Sequence, residues 1–481
     1  MPEIRIEEFY DAYAKALATG DAALFAGAGL SQPAGFVDWK ELMREIAQDL
    51  GLDVDKENDL VALAQYHFND RTNRSKLNQK LIDEFTQNAE ITENHRLIAN
   101  LPIRTIWTTN YDTLIEQSFS ETKKRCDVKI TQENLAVTKP HAHVTIFKMH
   151  GDISQPHDAV LLKNDYETYN ETRQLFTTRL QGDLVSKTFL FLGFSFTDPN
   201  IDYILSRIRV LLGQNTRDHY CIMRRVQTPK KMAGVAKADY EYKVRSQEHR
   251  TNDLKRYSIR ALLIDDYSEI PDILRELNRR AHLNDVFVSG SAFDYEPRGK
   301  EKLEELAKMI GREIISRGCN LVSGFGLGIG GAVIVGSMES AYSKNASIDE
   351  RMTLRPFPQG DPPKSMTRET FWRKYREEML KQAGFAIFLS GNTRDVSSDK
   401  TVIADGVLQE FEIAKQLKLY PIPIGATGHA AQRIWDEVFG NLDAFYSGKG
   451  VRGHFQTLGN PNKSNAELVE AIFAIIKRVK G

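Results

Sequence analysis

Two side chains suited to catalysis follow apolar, strand-like runs in the first third of the chain. His150 comes directly after the run 144–149, and Asn110 comes two residues after the run 103–108. An imidazole is the side chain most easily poised as a base near neutral pH, and an amide can donate to ribose hydroxyls or orient a water molecule. Strand ends are where an open α/β sheet binds nucleotides. The pair predicts base-assisted chemistry on a nucleotide, although a single histidine in such a place is more often structural.

Two glycine turns at strand ends offer a place for phosphate groups. Glycine lets backbone N–H groups approach a pyrophosphate closely, and nearby hydroxyls can add hydrogen bonds. Each turn alone is as well explained by a tight connection that binds nothing, and Asn110 with Asp112 could be turn caps. The first glycine turn, the Asn110 motif, the His150 motif and the second glycine turn occur in this order, each after an apolar run. Their joint occurrence makes nucleotide binding the better interpretation. The predicted substrate-binding residues are Gly27, Ala28, Gly29, Ser31, Asp112, Gly193 and Ser195.

A second glycine-rich segment lies far downstream, between a strand-like run at 320–323 and a predicted helix at 332–342. Its spacing, Gly326-x-Gly328-x-x-Gly331, matches a dinucleotide-binding fingerprint. That fingerprint expects an acidic residue at the end of the next strand, about 20 residues on. Asp349 and Glu350 instead precede the run 352–357. The pattern therefore predicts nucleotide binding but disfavours a dehydrogenase.

Composition excludes several classes of function. Lys and Arg total 64 against 65 Asp and Glu, so charge provides no footprint for nucleic acid or an anionic membrane. The three cysteines, Cys126, Cys221 and Cys319, are far apart and predict neither a disulfide framework nor a Cys-x-x-Cys zinc pair. The first 20 residues show acidic, helical spacing instead of a signal-peptide core. We expect a cytoplasmic protein with no metal, no membrane segment and no nucleic-acid partner.

Strand-like runs alternate with helical periodicity in two successive segments. The first segment has runs at 22–26, 103–108, 144–149, 189–192, 220–223 and 261–264, mostly helical residues at 39–101, a helix at 201–212 and a charged helical insertion at 227–256. The pattern restarts near His282, with a strand followed by a glycine turn at 286–291 and with runs at 320–323, 352–357, 385–389 and 420–424. We predict an α/β protein of two doubly wound domains, residues 1–283 and 284–481.

The first segment, over about residues 9–280, resembles the NAD-binding core of sirtuins. The similar motifs are the first loop Gly27–Gly35, the Asn-x-Asp motif Asn110-Tyr111-Asp112, the histidine pair His150-Gly151, and the ribose-binding turn Gly193-Phe194-Ser195. The resemblance implies a sirtuin-like, Rossmann-type domain with NAD+ as substrate. It also implies that Asn110, Asp112 and His150 line the nicotinamide-ribose site, with Asn110 and His150 as the catalytic residues.

Two departures from sirtuins concern the substrate. Deacetylating sirtuins carry a four-cysteine zinc module, which three scattered cysteines cannot build. Sirtuins also usually carry Asp-Phe-Arg after the first loop, where this chain has Asp38-Trp39-Lys40. These differences put deacetylation in doubt. They leave cleavage of the nicotinamide–ribose bond as the expected reaction.

The second segment, over about residues 284–481, resembles the SLOG superfamily of nucleotide-binding, Rossmann-like domains. The similar motifs are Ser289-Gly290-Ser291, Ser323-Gly324-Phe325-Gly326-x-Gly328 and Gly406-x-x-x-Glu410. Arg376 and Glu410 match family positions implicated in holding the ligand, and Arg355 is a further candidate because guanidinium suits phosphate. The residues predicted to bind a signal molecule are Ser289, Gly290, Ser291, Gly324, Phe325, Gly326, Gly328, Arg355, Arg376 and Glu410.

A sirtuin-like half joined to a SLOG half is similar to the NAD-consuming effectors of Thoeris anti-phage defence. That resemblance implies an NAD+ hydrolase activated by a cyclic ADP-ribose isomer, which a partner protein with a TIR domain produces. It also implies a homo-oligomer, with a tetramer favoured. Two other functions stay open at this point: a zinc-free sirtuin-like protein deacylase and a non-catalytic nucleotide-binding regulator.

Overall fold

The chain divides into two units, Met1–Asn278 and Arg279–Gly481. The structure is a computed structural model, and it describes residues 4–480 apart from 37–38, 87–88, 197–200, 203–204, 207–208, 210–216, 230–233, 359 and 396–397. The division falls a few residues before the boundary expected near His282.

Seven parallel strands form the sheet of the first unit. They are β1 (Ala22–Ala26), β2 (Thr105–Thr108), β3 (Cys126–Lys129), β4 (Val144–Lys148), β5 (Thr188–Leu192), β6 (His219–Arg224) and β7 (Ile259–Ile264). Their order across the sheet is β3-β4-β2-β1-β5-β6-β7. The central strands β1, β2 and β5 are buried except at Thr188, the first residue of β5, which explains why they are nearly continuous apolar runs and do not alternate.

Helices connect these strands. Those described in the first unit are Ile6–Thr19, Trp39–Asp49, Leu60–Arg71, Ser75–Phe85, Glu93–Asn100, Leu114–Glu121, Gln132–Leu135, Lys163–Glu167, Tyr169–Thr172, Gln174–Ser186, Gly234–Leu254 and Ile270–Ala281, the last of which extends just beyond the division. Helix Glu93–Asn100 is capped by Thr92, whose side chain accepts a hydrogen bond from the His95 N–H.

Five parallel strands form the main sheet of the second unit. They are β8 (Asp285–Ser291), β9 (Asn320–Ser323), β10 (Met352–Leu354), β11 (Phe385–Ser390) and β14 (Tyr420–Ile424), in the order β10-β9-β8-β11-β14. Two short strands, β12 (Asn392–Arg394) and β13 (Thr401–Ile403), pair as an antiparallel hairpin. The described helices are Lys300–Ser316, Gly330–Ser343, Ile348–Arg351, Arg368–Leu380, Asp405–Gln416, His429–Gly440, Leu442–Tyr446, Arg452–Gly459 and Asn465–Lys480.

The predicted fold class is confirmed, because each unit contains a parallel β-sheet whose strands are connected by helices. Two details differ from the sequence prediction. Gly290 is not in a turn: it lies within β8, in register with Leu389. The strand predicted at 352–357 ends at Leu354. The predicted helix at 201–212 lies largely outside the described residues.

Candidate active site and candidate nucleotide site

The four motifs of the first unit follow four strands that are neighbours in the sheet. Across the order β4-β2-β1-β5, the following loops carry His150, Asn110, Gly27–Ser31 and Gly193–Ser195. Asn110 and His150 each stand two residues beyond a directly paired position, Thr108 opposite Lys148. On one side of β1 lies β2 and on the other side lies β5, so the strand order reverses between β1 and β5. Such a switch point forms the ligand crevice of an open α/β sheet. The fold therefore brings all four motifs to the edge of the sheet at which the parallel strands have their carboxyl ends.

The two glycine loops pack backbone against backbone. The Gly27 N–H donates to the Leu192 carbonyl and the Gly29 N–H to the Gly193 carbonyl, each at 3.0 Å. Gly193 has a φ of +65°, and a Cβ there would lie 2.3 Å from the Leu30 nitrogen. Close approach thus requires these glycines, and two N–H groups expected to face a pyrophosphate are used within the protein. Phosphate binding at this loop stays a prediction, for which the exposed edge at Ala28 and Gly29 is the available surface.

Asn110 ties the first glycine loop to the end of β2. Its Nδ2 donates to the Gly27 carbonyl at 3.2 Å and to Ser31 Oγ at 3.1 Å. The amide orientation follows from chemistry, because only an N–H can face a carbonyl oxygen. Its Oδ1 is buried and has no hydrogen-bond partner among the described residues. Asn110 is therefore placed to accept a hydrogen bond from a ligand, whereas sequence reasoning gave it a donor's role.

Asp112 and His150 are both buried in the loops that follow β2 and β4. Asp112 Oδ1 accepts from the Leu114 N–H at 3.0 Å and so fixes the start of helix Leu114–Glu121. The His150 ring meets the rings of Tyr166 and Tyr169 edge-on, with centroids 5.4 and 6.3 Å away. This aromatic wall limits water around the imidazole, which suits a base acting on one bound molecule.

Ser195 lies in a turn that the insertion helix contacts. Arg250, on helix Gly234–Leu254, donates to the Ser195 carbonyl at 3.2 Å. The charged insertion expected to be merely solvated therefore helps to hold the fourth motif. The contact of Ser195 with a ribose stays a prediction.

Lys148 is a buried cation to which the sequence analysis gave no role. Its ammonium contacts the carboxylates of Glu116 and Asp152 and the carbonyls of Tyr111 and Asp112. Burial disfavours the charged ammonium, but the neighbouring carboxylates outweigh it and raise the pKa of Lys148. The only signal in the sequence was a lysine at the end of an apolar run.

The second unit has a small cavity at the carboxyl end of β8. Its volume is about 140 Å³. Seven of the residues predicted to bind a signal line it: Ser289, Gly290, Ser291, Gly324, Gly326, Arg376 and Glu410. The described lining does not include Phe325, Gly328 or Arg355. The Arg355 backbone instead donates to the Ser323 carbonyl, extending the pairing of β10 with β9.

Glu410 and Arg376 form the polar wall of this cavity. Ser289 Oγ donates to Glu410 Oε2 at 2.6 Å, and Arg376 Nε lies 3.5 Å from Glu410 Oε1. Burial raises the pKa of Glu410, although Ser289 and Arg376 oppose the shift. The Arg376 guanidinium stacks over Phe357, with 5.0 Å from Cζ to the ring centroid. The site thus presents an acceptor, a cation and an aromatic surface in one place.

Six lining residues were not among the predicted binding residues, and two of them, Gly406 and Phe357, contact Arg376. A Cβ at Gly406 would lie 2.6 Å from the Arg376 guanidinium, which would have to move. Phe357 contributes an aromatic ring to the cavity. The glycine of the Gly406-x-x-x-Glu410 pattern was the available signal for the first, whereas nothing in the sequence distinguished Phe357 from a core residue.

Comparison with known proteins agrees with this arrangement. Residues 104–248 match the model of the SIR2-like domain, and residues 269–479 match that of the Sir2- and TIR-associating SLOG family. The chain is 43% identical to the NAD(+) hydrolase ThsA of Bacillus cereus (strain MSX-D12), over 98% of both chains. It is 42% identical to the NAD(+) hydrolase ThsA of Cytobacillus dafuensis, over 99% of this chain and 97% of the relative.

The chain belongs to the ThsA family. Full-length similarity means that both units, and not the sirtuin-like one alone, are shared with ThsA. A more distant match, 25% identical over 40% of this chain and 20% of the relative, is the defense-associated sirtuin 2 of Bacillus subtilis.

The described residues offer neither a metal-binding cluster nor a membrane-spanning helix. No cluster of three or more His, Cys, Asp or Glu side chains in this part of the chain could hold a metal ion. Within the described helices, none is both long enough and apolar enough to cross a membrane.

Proposed function

We propose that this member of the ThsA family hydrolyses NAD+ at the nicotinamide–ribose bond. The observation that carries the proposal is the row of four loops after β4, β2, β1 and β5. Together they supply an imidazole, a buried amide oxygen and two closely packed glycine turns at a switch point. The names of the full-length relatives support the same reaction.

The expected chemistry needs few groups. The nicotinamide–ribose bond breaks through an oxocarbenium-like state, so the site must position the ribose and supply a base. Asn110 Oδ1 is the acceptor for a ribose hydroxyl, since its N–H groups are already engaged. His150 accepts the proton of the attacking water or of a ribose hydroxyl. Products are nicotinamide, ADP-ribose and a proton.

Substitution of these two residues tests the proposal. His150→Ala and Asn110→Ala should each lower NAD+ cleavage by roughly 10²-fold or more, as expected for loss of a positioned base or anchor. The matched control is His157→Ala, since His157 is exposed in the loop just beyond the site. The measurement is nicotinamide release by proteins with unchanged melting temperatures. Near-normal turnover by His150→Ala would overturn the assignment.

A zinc-free deacylase and a non-catalytic regulator are the competing functions. A deacylase consumes NAD+ only with an acylated lysine substrate, whereas a hydrolase needs water alone. Steady nicotinamide release without peptide therefore excludes the deacylase, and its loss in His150→Ala excludes the regulator.

For the second unit, we infer a nucleotide sensor that switches the hydrolase on. A cyclic ADP-ribose isomer carries phosphates for Arg376, hydroxyls or an adenine amine for Glu410, and an adenine face for Phe357. The cavity of about 140 Å³ is smaller than ligand pockets of roughly 300–1,000 Å³. Ligand binding must therefore widen the cavity. A ligand that fits only the widened form binds one conformation more tightly than the other, and a conformational switch requires such a difference in affinity. A shift from 1% to 99% active needs about 5.5 kcal/mol of such preference.

The biological role we propose is anti-phage defence by NAD+ depletion in the cytoplasm. Its signal would come from a protein with a TIR domain, a partner suggested by the description of the matched SLOG family. We also propose a homo-oligomer, with a tetramer favoured, as the family resemblance implies; closed symmetry built on two-fold axes is common among soluble homo-oligomers.

A further inference from the structure

Lys148 lies between the two loops that carry the candidate catalytic residues. It is the last residue of β4 and its side chain is fully buried. On one side its Nζ lies 2.5 Å from the Asp112 carbonyl and 3.3 Å from the Tyr111 carbonyl, directly after Asn110. On the other side it pairs with the Asp152 carboxylate, two residues after His150. A single ammonium thus joins both loops.

The same ammonium also contacts a carboxylate on a neighbouring helix. Glu116, on helix Leu114–Glu121, places its Oε1 3.2 Å from Lys148 Nζ. Asp152 uses its other oxygen to accept from the Ser154 N–H at 2.8 Å, which shapes the turn after His150. An ammonium has three donors, and here at least four acceptors surround it. A neutral side chain could not hold these carboxylates and carbonyls together.

We propose that Lys148 is a positioning residue for NAD+ hydrolysis, which sets the spacing between the Asn110 loop and the His150 loop. The proposal rests on the proposed function of this site. Lys148 need not touch NAD+; it acts through the two loops. A displacement of about 1 Å in a catalytic group can cost about 10²-fold in rate. Loss of the cation should therefore lower kcat much more than it changes KM.

A neighbouring buried pair provides a matched control for stability alone. Lys129, on the adjacent strand β3, is buried and lies 2.8 Å from Asp127. Neither residue contacts the motif loops in the described contacts: Lys129 also reaches the Val137 carbonyl, and Asp127 accepts from the Lys139 N–H. Lys129→Met removes a buried ammonium of the same kind from the end of a strand whose following loop carries none of the four motifs.

The experiment compares Lys148→Met, Lys148→Met/Asp152→Asn and Lys129→Met with the unmodified full-length chain. Nicotinamide release gives kcat and KM for NAD+, under the condition in which the unmodified protein turns over, and thermal melting gives stability. The double variant removes one carboxylate together with the cation, which relieves buried unpaired charge. We expect both Lys148 variants to lose about 10- to 100-fold in kcat, with KM within about threefold. Lys129→Met should keep kcat within about threefold even if it melts earlier.

Each outcome decides the proposal. Folded Lys148 variants with near-normal kcat overturn it, and so does an equal loss of kcat in Lys129→Met. If neither Lys148 variant folds, Asp152→Asn alone decides, with a kcat drop of about tenfold expected and an unchanged kcat contradicting it. An unmodified protein that never releases nicotinamide would instead contradict the proposed function, so the two failures are distinguishable.

Discussion

Single residues carry most of the specificity that we assign to the second unit, and Arg376 is the clearest case. Its guanidinium lies between Phe357 and Glu410, while Gly406 leaves room for it. Arg376→Ala should weaken the response to a cyclic ADP-ribose isomer by about 10- to 100-fold, because hydrogen bonds to charged groups contribute about 1.5–3 kcal/mol. Titration calorimetry and NAD+ consumption measure the effect.

Arg373→Ala is the matched control for that substitution. Arg373 is on the same helix, but it is exposed and pairs only locally with Glu377 at 3.3 Å. The two variants should differ sharply in their response to the nucleotide. Equal responses would show that Arg376 does not bind the signal.

His219 makes stability depend on pH. Burial lowers the pKa of His219 to about 4, and its Nδ1 accepts from the Phe189 N–H at 3.2 Å. Between pH 6.5 and 4 the unfolded chain binds a proton that the folded chain rejects, so stability falls as pH falls. The expected loss for this residue is about 3 kcal/mol, at about 1.36 kcal/mol per pKa unit.

The variant His219→Asn isolates this effect, since an amide can accept the same hydrogen bond without titrating. Burial also lowers the pKa of His95 to about 4, and that contribution is common to both proteins. Chemical denaturation at pH 7 and pH 4.5 should show a smaller stability loss for His219→Asn than for the unmodified chain. Parallel pH profiles would contradict the assignment.

At the residue level, the sequence indicated candidate side chains but not which of their atoms are available to a ligand. Asn110 became a candidate from its place after an apolar run. Only tertiary contacts show that its N–H groups bond within the protein and that its Oδ1 is available to accept a hydrogen bond. Lys148 was not predicted at all, because a lysine is normally read as exposed and its partners come from separate segments. Which charges are buried together is a property of the fold.

Among the elements, the contact between the β1 loop and the β5 turn is the most demanding. Gly193→Ala would place a Cβ 2.3 Å from the Leu30 nitrogen and would also require a positive φ, which costs an L-residue about 1–2 kcal/mol. We expect the first loop to shift and NAD+ hydrolysis to fall by at least tenfold, as nicotinamide release would show.

Gly182→Ala is the control for this element. Gly182 is in helix Gln174–Ser186, and a Cβ there would meet nothing within 4 Å. Alanine favours a helix over glycine by up to about 1 kcal/mol, so this variant should keep activity and gain slightly in stability. Full activity in Gly193→Ala would show that the close packing of the two loops is not needed.

Strands were predictable where burial on both faces leaves a continuous apolar run, as in β1 and β5. β3 was missed because it is an edge strand whose sequence, Cys126–Lys129, alternates with polar residues and offers no such run. The strands of the hairpin β12–β13 were not predicted either, because the β13 residues are exposed and form no buried apolar run. Edge elements depend on pairing, which a single sequence does not specify.

For the whole molecule, the division into two units puts the proposed catalytic site and the proposed nucleotide site in different units. The candidate catalytic groups belong to Met1–Asn278 and the nucleotide cavity to Arg279–Gly481. Substitutions in one site should therefore leave the fold of the other intact. Light scattering with and without nucleotide measures the proposed oligomer, and a monomer in both states would contradict it.

The most direct test of the account follows nicotinamide release from NAD+ by the full-length chain, with and without cyclic ADP-ribose isomers. His150→Ala serves as the blank. We predict slow release by the unmodified protein alone, a rise of about 10²-fold when an isomer binds, corresponding to a shift from 1% to 99% active, and no rise in His150→Ala. A folded, unmodified protein that releases no nicotinamide in any condition would contradict the account. So would a His150→Ala variant that releases nicotinamide as fast as an active unmodified protein.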